Sequence, residues 1–507
     1  MHLHDLLAAA PLERGGAVPL FRQLYARLKD AILRGALAPG ARLPSTRTLS
    51  RQLGVSRQTV LAAYDQLTAE GYLRGGVGQG TFVDAALPQP APPCASPLVP
   101  PLAPELLRPL PERGAALAGA MARVRYPDGP IRAFRPSMPG LDLFPFDLWR
   151  KLETRHLRRP GPHLGYNPPG GHAPLRELLC AYLRASRGVV CTPEQIVITS
   201  GSQQALYLLA QLLLAPGDGV WMESPGYQGA AAPMSVAGAR ICSVPVTSEG
   251  MDVAYGARHY PDARMVFATP SHQLPLGVTM SLARRLELLW WAGANRAWVI
   301  EDDYDSEYRH TGAPLASLQS LDRAGCVIYV GTLSKVLFPA LRLGYVVAPP
   351  ALVEPLSRAK AVVDRHSAIL PQAVLADFIA EGHFARHIRR TRAAYGERRA
   401  ALLDALGARL DERLVCGPSD AGLDLCVHFR PDREGNIPRE DEVERRAQQA
   451  GVELRTLGYF THPAATPACA VEPGLVLGFA AVPSGELRRA VDALAQAIEA
   501  SACFTAR

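Results

Sequence analysis

The 507 residues are too many for one ordinary domain, so length alone predicts two or three folded units. With 48% apolar and 20% charged residues, the composition is that of a globular protein and excludes a largely disordered chain. The nine scattered cysteines lack the CxxC spacing of metal sites, and a net charge of +7 permits a nucleic-acid partner.

The N-terminal residues lack the basic region that opens a secretory signal peptide. No apolar run in the sequence reaches the roughly 18 residues that a membrane span requires. Scattered cysteines without a disulfide-like pattern suit a reducing compartment. We therefore expect a soluble cytoplasmic protein with no membrane segment and no metal site.

Three short helices are predicted near the N-terminus. The first covers residues 19–34, and its apolar side chains recur at helical spacing: Leu20, Leu24, Leu28 and Ile32. Ser45 can cap a second helix, Thr46–Leu53, which Gly54 ends. Ser56 can cap a third helix, whose buried side is formed by Val60, Ala63, Tyr64 and Leu67.

Two helices joined by so tight a turn predict a helix-turn-helix, whose second helix places its first residues in the DNA major groove. The residues expected to reach phosphates and base edges are Ser56, Arg57, Gln58 and Thr59. Arg57 has the geometry for a bidentate guanine contact, and Gln58 for an adenine. The glycine-rich segment 75–80 between two short strands predicts a hairpin that can approach a minor groove closely. Residues 1–83 carry ten Lys and Arg against five Asp and Glu.

This N-terminal segment resembles the GntR-type winged helix-turn-helix over some 65 continuous residues. The resemblance is carried by 43–47, 54–57, 70–73 and 78–83, together with Tyr64 and Leu67. It implies that Arg47, the start of the third helix, and the wing residues Gly78 and Gln79 contact double-stranded DNA. Leu61 departs from the pattern, because some relatives have a phosphate-binding arginine there.

A proline-rich segment follows the DNA-binding segment. Ten prolines lie between residues 87 and 111, and such a composition favours an extended, semi-rigid spacer. We therefore predict a DNA-binding domain over 1–83, a linker over 84–120, and a second folded region over 121–507.

Four sequence elements of this second region carry candidate chemistry. A buried strand over 196–199 leads into a small-residue turn and a helix, whose first N–H groups form a potential phosphate site. A second strand, from residue 298, ends in a run of carboxylates that includes Asp302. A third, from residue 327, ends in hydroxyl groups and Lys335, and Arg342 follows it.

The order of these elements resembles the fold-type I enzymes that use pyridoxal 5′-phosphate (PLP), the aspartate aminotransferase superfamily. The resemblance implies an α/β fold with a large domain built on a mainly parallel sheet and a smaller α+β domain. It makes Lys335 the catalytic lysine that is joined covalently to PLP, and Asp302, 33 residues earlier, the partner of the pyridinium nitrogen. Tyr304 would bind the ring oxygen and Tyr227 would stack on the ring. The phosphate would be held by Ser202, Gln203, Thr332 and Arg342.

The combination of a GntR-type N-terminal domain (the head, residues 1–83) with this second region (the body, residues 121–507) resembles the MocR/GabR-type transcription regulators. Further marks are Trp149 after the Leu-Phe-Pro run 143–145, and the segment 269–273. The resemblance implies a PLP-dependent regulator that forms a head-to-tail homodimer and senses an amino compound or PLP itself. Tyr166 resembles a tyrosine that reaches the phosphate across the dimer interface.

The sequence also departs from working aminotransferases. Their Asn-Pro-x-Gly motif is replaced by residues 274–277, Leu-Pro-Leu-Gly, and the late strand 475–479 lacks the arginine that binds a substrate carboxylate. Gln228 and Gly229 follow the stacking tyrosine, where GABA sensors of the family have an arginine. These departures favour a regulator over the alternatives, a working aminotransferase with an accessory head or a PLP-free scaffold.

Overall fold

The computed structural model describes residues 12–14, 18–76, 80–85, 110–121, 129–158, 161, 164–312 and 316–502. It divides into two compact units, Met1–Pro109 and Leu110–Arg507. Within the described ranges, no helix combines the length and the apolar character needed to cross a membrane. The same ranges contain no group of His, Cys, Asp and Glu arranged to hold a metal ion.

The described residues of the N-terminal unit form three helices and a small antiparallel sheet. Its elements are α1 (Leu20–Leu33), β1 (Arg42–Leu43), α2 (Thr46–Leu53), α3 (Arg57–Ala69), β2 (Leu73–Gly76) and β3 (Gly80–Val83). The strand order is β1-β3-β2. Ser45 and Ser56 cap α2 and α3 by accepting hydrogen bonds from Thr48 N and Thr59 N, each at 3.1 Å. Gly54 ends α2 in the left-handed conformation, with φ 63°, which glycine adopts without steric cost.

The core of this unit lies between α1, α3 and the sheet. The predicted buried face of α3 is confirmed: Val60, Ala63, Tyr64 and Leu67. Tyr64 is buried with its hydroxyl donating to Pro44 O at 3.0 Å, so its polar atom keeps a partner inside the core. Leu20 of α1 is only half-buried, and Ala31 takes a core position that the apolar spacing did not predict.

The second unit alternates helices and strands before a smaller C-terminal sheet. Its helices are α4 (Glu112–Gly119), α5 (Phe146–Arg158), α6 (Ala173–Arg187), α7 (Ser202–Leu213), α8 (Gln228–Val236), α9 (Val253–His259), α10 (Leu282–Asn295), α11 (Leu318–Leu321), α12 (Pro350–Asp364), α13 (Ile369–Ala380), α14 (His383–Leu410), α15 (Glu440–Gln449) and α16 (Ser484–Ala502). Its strands are β4 (Ile196–Thr199), β5 (Gly219–Ser224), β6 (Arg240–Thr247), β7 (Gly250–Met251), β8 (Met265–Ala268), β9 (Trp298–Asp303), β10 (Val327–Thr332), β11 (Gly344–Val347), β12 (Leu414–Cys416), β13 (Asp424–Phe429), β14 (Arg455–Thr456) and β15 (Gly474–Gly478).

The large sheet has eight strands in the order β4-β11-β10-β9-β8-β5-β6-β7. The five strands from β10 to β6 pair in parallel, and β11 runs antiparallel to both of its neighbours. Because β4 and β10 flank the reversed β11, the carboxyl ends of β4, β5, β8, β9 and β10 all lie at one edge. Strands β12, β13, β15 and β14 form a separate antiparallel sheet. The predicted mainly parallel large sheet and smaller α+β region are thus confirmed.

The predicted linker over 84–120 differs from the structure at its C-terminal end. Residues 112–119 form α4, which contacts α8, and Arg113 donates a hydrogen bond to Gln211 Oε1 at 2.6 Å. This part of the predicted spacer therefore packs on the second unit. The proline-rich residues 86–109 lie outside the described part of the chain.

Candidate functional site

The strand ends at the shared edge of the large sheet enclose a cavity of about 200 Å³. Its walls are formed by Ser137, Ser202, Gln203, Tyr227, Thr269, Leu274, Asp302, Tyr304, Thr332, Ser334, Lys335, Pro339 and Arg342. The cavity stands where open α/β sheets bind their ligands, outside the carboxyl ends of the strands. Eight of the nine body residues predicted to bind a cofactor lie in this wall, and Tyr166 is the exception.

Lys335 lies three residues beyond the end of β10, with its amine in the cavity. The Nζ atom donates a hydrogen bond to the carbonyl oxygen of Ser137 at 2.8 Å. Burial lowers the pKa of this amine, and the carboxylates of Asp424, Asp305 and Asp302 oppose that shift. A lysine with a lowered pKa has a larger neutral fraction, which is the form that attacks a carbonyl carbon.

Asp302 faces Lys335 from the end of β9. Its side chain is 5% exposed, and its Oδ1 atom has no hydrogen-bond partner among the described residues. Burial raises the pKa of this carboxyl group to about 7; neighbouring Asp303 adds to the shift and Lys335 opposes it. An unpaired buried carboxyl is costly, so Asp302 needs a hydrogen-bond donor or a cation that the cavity wall does not supply to Oδ1. A protonated ring nitrogen would be such a partner.

The last three residues of β9, Glu301, Asp302 and Asp303, have different partners because successive side chains of a strand point to opposite faces. Glu301 turns away from the cavity and accepts hydrogen bonds from Leu318 N and Gln319 N. Asp303 forms a buried ion pair with Arg187, at 3.1 Å from Nε to Oδ2. Asp302 is therefore the member of this run on the cavity side within the strand.

Four predicted phosphate-binding side chains lie in the cavity wall: Ser202, Gln203, Thr332 and Arg342. Helix α7 begins here after Gly201, so its first N–H groups carry a partial positive charge. Arg342 donates from Nη2 to the carbonyl oxygen of Ser200 at 3.0 Å, which fixes the guanidinium beside the helix start. A helix N-terminus with an arginine is a site for a phosphate group.

Two predicted aromatic residues also line the cavity. Tyr227, the residue before α8, donates to Gln203 Oε1 at 3.4 Å. Tyr304 follows β9, and its hydroxyl lies 3.0 Å from His272 Nδ1. Burial raises the pKa of the Tyr304 phenol well above its usual value, so the hydroxyl keeps its proton.

Tyr166 does not reach the cavity of its own chain. Tyr166 is 87% exposed, and its ring lies near the imidazole ring of His366 and the guanidinium of Arg365. The sequence prediction placed this tyrosine in a partner's site, and its role stays a prediction.

Sequence reasoning missed Ser137 and Asp424, which support the lysine. Asp424 accepts hydrogen bonds from Ser137 N at 2.6 Å and from Ser137 Oγ at 2.9 Å, and the same serine accepts from Lys335. One signal was present: Asp424 is a buried carboxylate at the start of β13, directly before the apolar residues Leu425, Cys426 and Val427. A charged residue in a buried strand needs a partner, and that alone marks it as a candidate.

The late strand in which the sequence lacks a carboxylate-binding arginine corresponds to β15. Strand β15 contains no arginine, and Arg455 of β14 binds Glu444 at 3.0 Å instead of facing the cavity. Leu274 lines the cavity at the position where aminotransferases have asparagine.

The N-terminal unit presents the predicted DNA-binding residues at its surface. Arg47, Ser56, Arg57 and Gln58 are exposed, and Thr59 is half-buried with its hydroxyl 2.8 Å from Ser56 Oγ. Arg57 Nε donates weakly to Thr46 Oγ1 at 3.3 Å, so the start of α3 contacts the start of α2. The wing strands β2 and β3 are paired, and the predicted wing residues Gly78 and Gln79 lie outside the described residues.

Two family models match separate parts of the chain. The model for bacterial regulatory proteins of the gntR family matches residues 20–83, and the model for aminotransferase class I and II matches residues 139–494. The second match covers more than half of the chain.

Three similar proteins match between 74% and 96% of this chain. The probable rhizopine catabolism regulatory protein MocR of Rhizobium meliloti is 40% identical over 96% of this chain and 95% of its own length. The pyridoxine biosynthesis transcriptional regulator PdxR of Corynebacterium glutamicum is 34% identical over 76% of this chain and 78% of its own. Among solved structures, the α-aminoadipate aminotransferase LysN of Thermus thermophilus, complexed with N-(5′-phosphopyridoxyl)-L-leucine, is 30% identical, with a TM-score of 0.65 over 74% of this chain and 93% of its own.

Proposed function

This chain belongs to the MocR-type transcription regulators, in which a GntR-type head precedes an aminotransferase class I and II body, and from that membership we propose a PLP-based sensor. The body holds PLP at Lys335, and an amino compound or PLP itself is the signal. Occupancy of the body changes how the head binds its operator. The observation that carries the proposal is the buried, unpartnered Oδ1 of Asp302 in the wall that also holds Lys335.

The cavity residues fit PLP at each of its functional groups. When bound, PLP supplies an aldehyde that combines with amines and a pyridinium ring that withdraws electrons. Asp302 would pair with the ring nitrogen, and Tyr304 would donate to the ring oxygen. Tyr227 would stack on the ring. The phosphate would be held by Ser202, Gln203, Thr332 and Arg342.

Lys335 is suited to a covalent link with the aldehyde. Its buried amine has a lowered pKa, and Ser137 O holds it by one hydrogen bond that a reacting amine can release. Asp424 keeps Ser137 in place through two hydrogen bonds, so the lysine starts from a fixed position.

We further propose that the active assembly is a head-to-tail homodimer. Tyr166 and Val362 are each more than 85% exposed and line the same surface depression, which also includes His366. Large exposed apolar and aromatic side chains that lie together are typical of an interface. In this assembly Tyr166 would reach the phosphate end of the partner's cavity.

The head would contact DNA through Arg47 and the first turn of α3. Arg57 and Gln58 are candidates for base contacts, whereas Ser56 and Thr59 are partly engaged as the helix cap. Gly78 and Gln79 of the wing would add minor-groove contacts. A protein that regulates transcription in this way acts where the chromosome is, so we assign it to the cytoplasm.

A signal at the body alters DNA binding only if the effector binds two states of the protein with different affinities.

The rival function, a working aminotransferase, has one observation in its favour, the complete set of Lys335, Asp302 and Arg342 around one cavity. The missing arginine of β15 opposes it. With common amino acids and keto acids, sustained turnover on the order of 1 per second or more would favour the enzyme; at most slow single half-reactions are expected.

Genome-wide footprinting of the wild type and of Lys335→Ala tests the proposal. The wild type is expected to protect a small set of operators, and the genes beside them indicate the effector pathway. Adding a candidate amine or PLP should change transcription of those genes in the wild type and leave the Lys335→Ala strain unresponsive. Equal responses in both strains would exclude a sensor that works through Lys335.

A further inference from the structure

Tyr304, His272 and Asp305 form a buried hydrogen-bonded chain behind the cavity wall. The hydroxyl of Tyr304 lies 3.0 Å from His272 Nδ1, and the same nitrogen lies 3.0 Å from Asp305 Oδ2. All three side chains are more than nine-tenths buried. Because one ring nitrogen faces two oxygen partners, the proton on that nitrogen decides which of them acts as donor.

Gly422, in the loop before β13, packs over these hydrogen-bonded side chains. A Cβ atom on Gly422 would lie 2.1 Å from His272 Cε1 and 2.7 Å from Asp305 Oδ2, and its φ of +86° is one that glycine favours. The backbone at this position therefore packs directly on the His272–Asp305 pair and holds the imidazole ring against the carboxylate.

The carboxylate of Asp305 selects the form of the imidazole. A carboxylate accepts hydrogen bonds, so it favours the forms of His272 that carry a proton on Nδ1. The Tyr304 oxygen then accepts from the same N–H group, and the phenolic hydrogen is left to donate elsewhere. Without Asp305, Nδ1 could lose its proton and become an acceptor that draws the phenolic hydrogen away from the cavity.

The other charged groups around these side chains also bear on that proton. They are Asp424, Asp302, Glu223 and Arg309. Burial lowers the pKa of His272, but Asp305 and then Asp424 outweigh it, so the net pKa is raised. The surroundings thus favour a proton on the imidazole.

We propose that His272 and Asp305 are positioning residues that keep the hydroxyl hydrogen of Tyr304 available to the ring oxygen of PLP. This inference rests on the PLP site proposed above. In aminotransferases the asparagine of the Asn-Pro-x-Gly motif also contacts that oxygen, whereas Leu274 offers no donor here. The buried histidine–carboxylate pair strengthens the contact that remains.

The test follows the visible absorption of the PLP-loaded, full-length protein as pH is varied. A ring oxygen that loses a hydrogen-bond donor stabilises its negative charge less well, so the bound chromophore takes up a proton at higher pH. Asp305→Ala should raise this pH midpoint by about one unit, the size expected for one hydrogen bond to a charged group. In a Tyr304→Phe background the same Asp305→Ala change should shift the midpoint no further, because the residue through which it acts is gone.

Two variants at His272 separate positioning from packing. His272→Asn can place an amide N–H near the Nδ1 position and should retain the wild-type midpoint, whereas His272→Phe should raise it. The matched control is His156→Asn, since His156 lies 2.9 Å from Asp377 Oδ2 in another histidine–aspartate pair, and neither residue lines the cavity. It should leave the midpoint unchanged.

Wild-type midpoints in both Asp305→Ala and His272→Phe, with PLP still attached at Lys335, would overturn the inference. A shift that persists in the Tyr304→Phe background would do the same, because the pair would then act independently of the phenol. If the wild type itself carried no PLP at Lys335, the proposed function would fail, and this inference with it.

Discussion

Arg342 lies so close to Gly201 that a Cβ atom on the glycine would come within 2.8 Å of the Arg342 Nη2 atom. Arg342 lines the cavity, and Gly201 directly precedes the first residue of α7. The approach is possible because glycine has no side chain, and it lets the arginine reach the helix start. The position of Arg342 therefore depends on a residue 141 positions earlier in the sequence.

Gly201→Ala should weaken PLP binding by displacing the Arg342 guanidinium. The matched control is Gly217→Ala: Gly217 has a similar φ of +91° but no atom within 4 Å of its added Cβ, so this variant places a side chain at a positive φ without displacing a neighbour. Titrating PLP into both proteins should give at least a tenfold larger dissociation constant for Gly201→Ala, about the value of one hydrogen bond to a charged group. Equal affinities in the two variants would mean that Arg342 does not hold the phosphate.

Lys335→Ala should abolish the covalent link to PLP. The wild-type protein should be yellow, and reduction with borohydride should add a pyridoxyl mass to the peptide that contains Lys335. The buried Lys360, which binds Asp364 at 2.8 Å, serves as the comparison lysine and should carry no label. A pyridoxyl mass on any other lysine would show that the covalent site is wrongly assigned.

Asp302→Asn should weaken PLP binding while it stabilises the PLP-free protein at alkaline pH. Burial raises the pKa of Asp302 from 3.8 to about 7, so its ionisation opposes folding. The stability contributed by the protonated group is fully present below about pH 3.8 and is lost as pH rises to about 7. At pH 8 the neutral amide should therefore raise the free energy of unfolding by up to about 4 kcal/mol.

Urea unfolding of the PLP-free wild type and Asp302→Asn at pH 5 and pH 8 measures this difference. The gap between the two proteins should be larger at pH 8. An equal gap at both pH values would mean that Asp302 ionises without cost, and that its unpartnered oxygen reaches solvent.

Arg57→Ala should cost about 1–3 kcal/mol of specific DNA binding and relax preference at one base position. Arg34→Ala is the matched control, because it removes the same charge from the same unit at an exposed residue that pairs with Asp30 on α1. Gel-shift titrations at several salt concentrations should show both variants losing non-specific affinity slightly, with loss of sequence preference confined to Arg57→Ala. PLP binding should be unaffected in both.

Footprinting of the wild type should reveal two half-sites on one face of the DNA, about one helical turn or a multiple apart. Direct repeats are as compatible with the predicted linker as a palindrome. Unchanged footprints for Arg57→Ala would remove the basis for assigning α3 as the recognition helix.

The features that depend on neighbouring residues could be predicted from the sequence. Ser45 and Gly54 determine the two ends of α2, and Ser56 the start of α3, through hydrogen bonds and backbone angles within three or four residues. Two strands could likewise be predicted, the one that contains Asp302 and the one that precedes Lys335. Each combines a buried apolar run with polar residues at its end. The order of these elements was enough to indicate the family.

The contacts between distant segments were decided only by the tertiary structure. Asp424 supports Lys335 through Ser137, and 287 positions separate that serine from the aspartate, so no local pattern could pair them. Asp302 and Asp303 are adjacent carboxylates in the sequence, yet one faces the cavity and the other binds Arg187. The sequence determined which chemical groups are present, whereas the pleat of the strand and the packing of the loops determined which of them meet, because those contacts form only when the chain is folded.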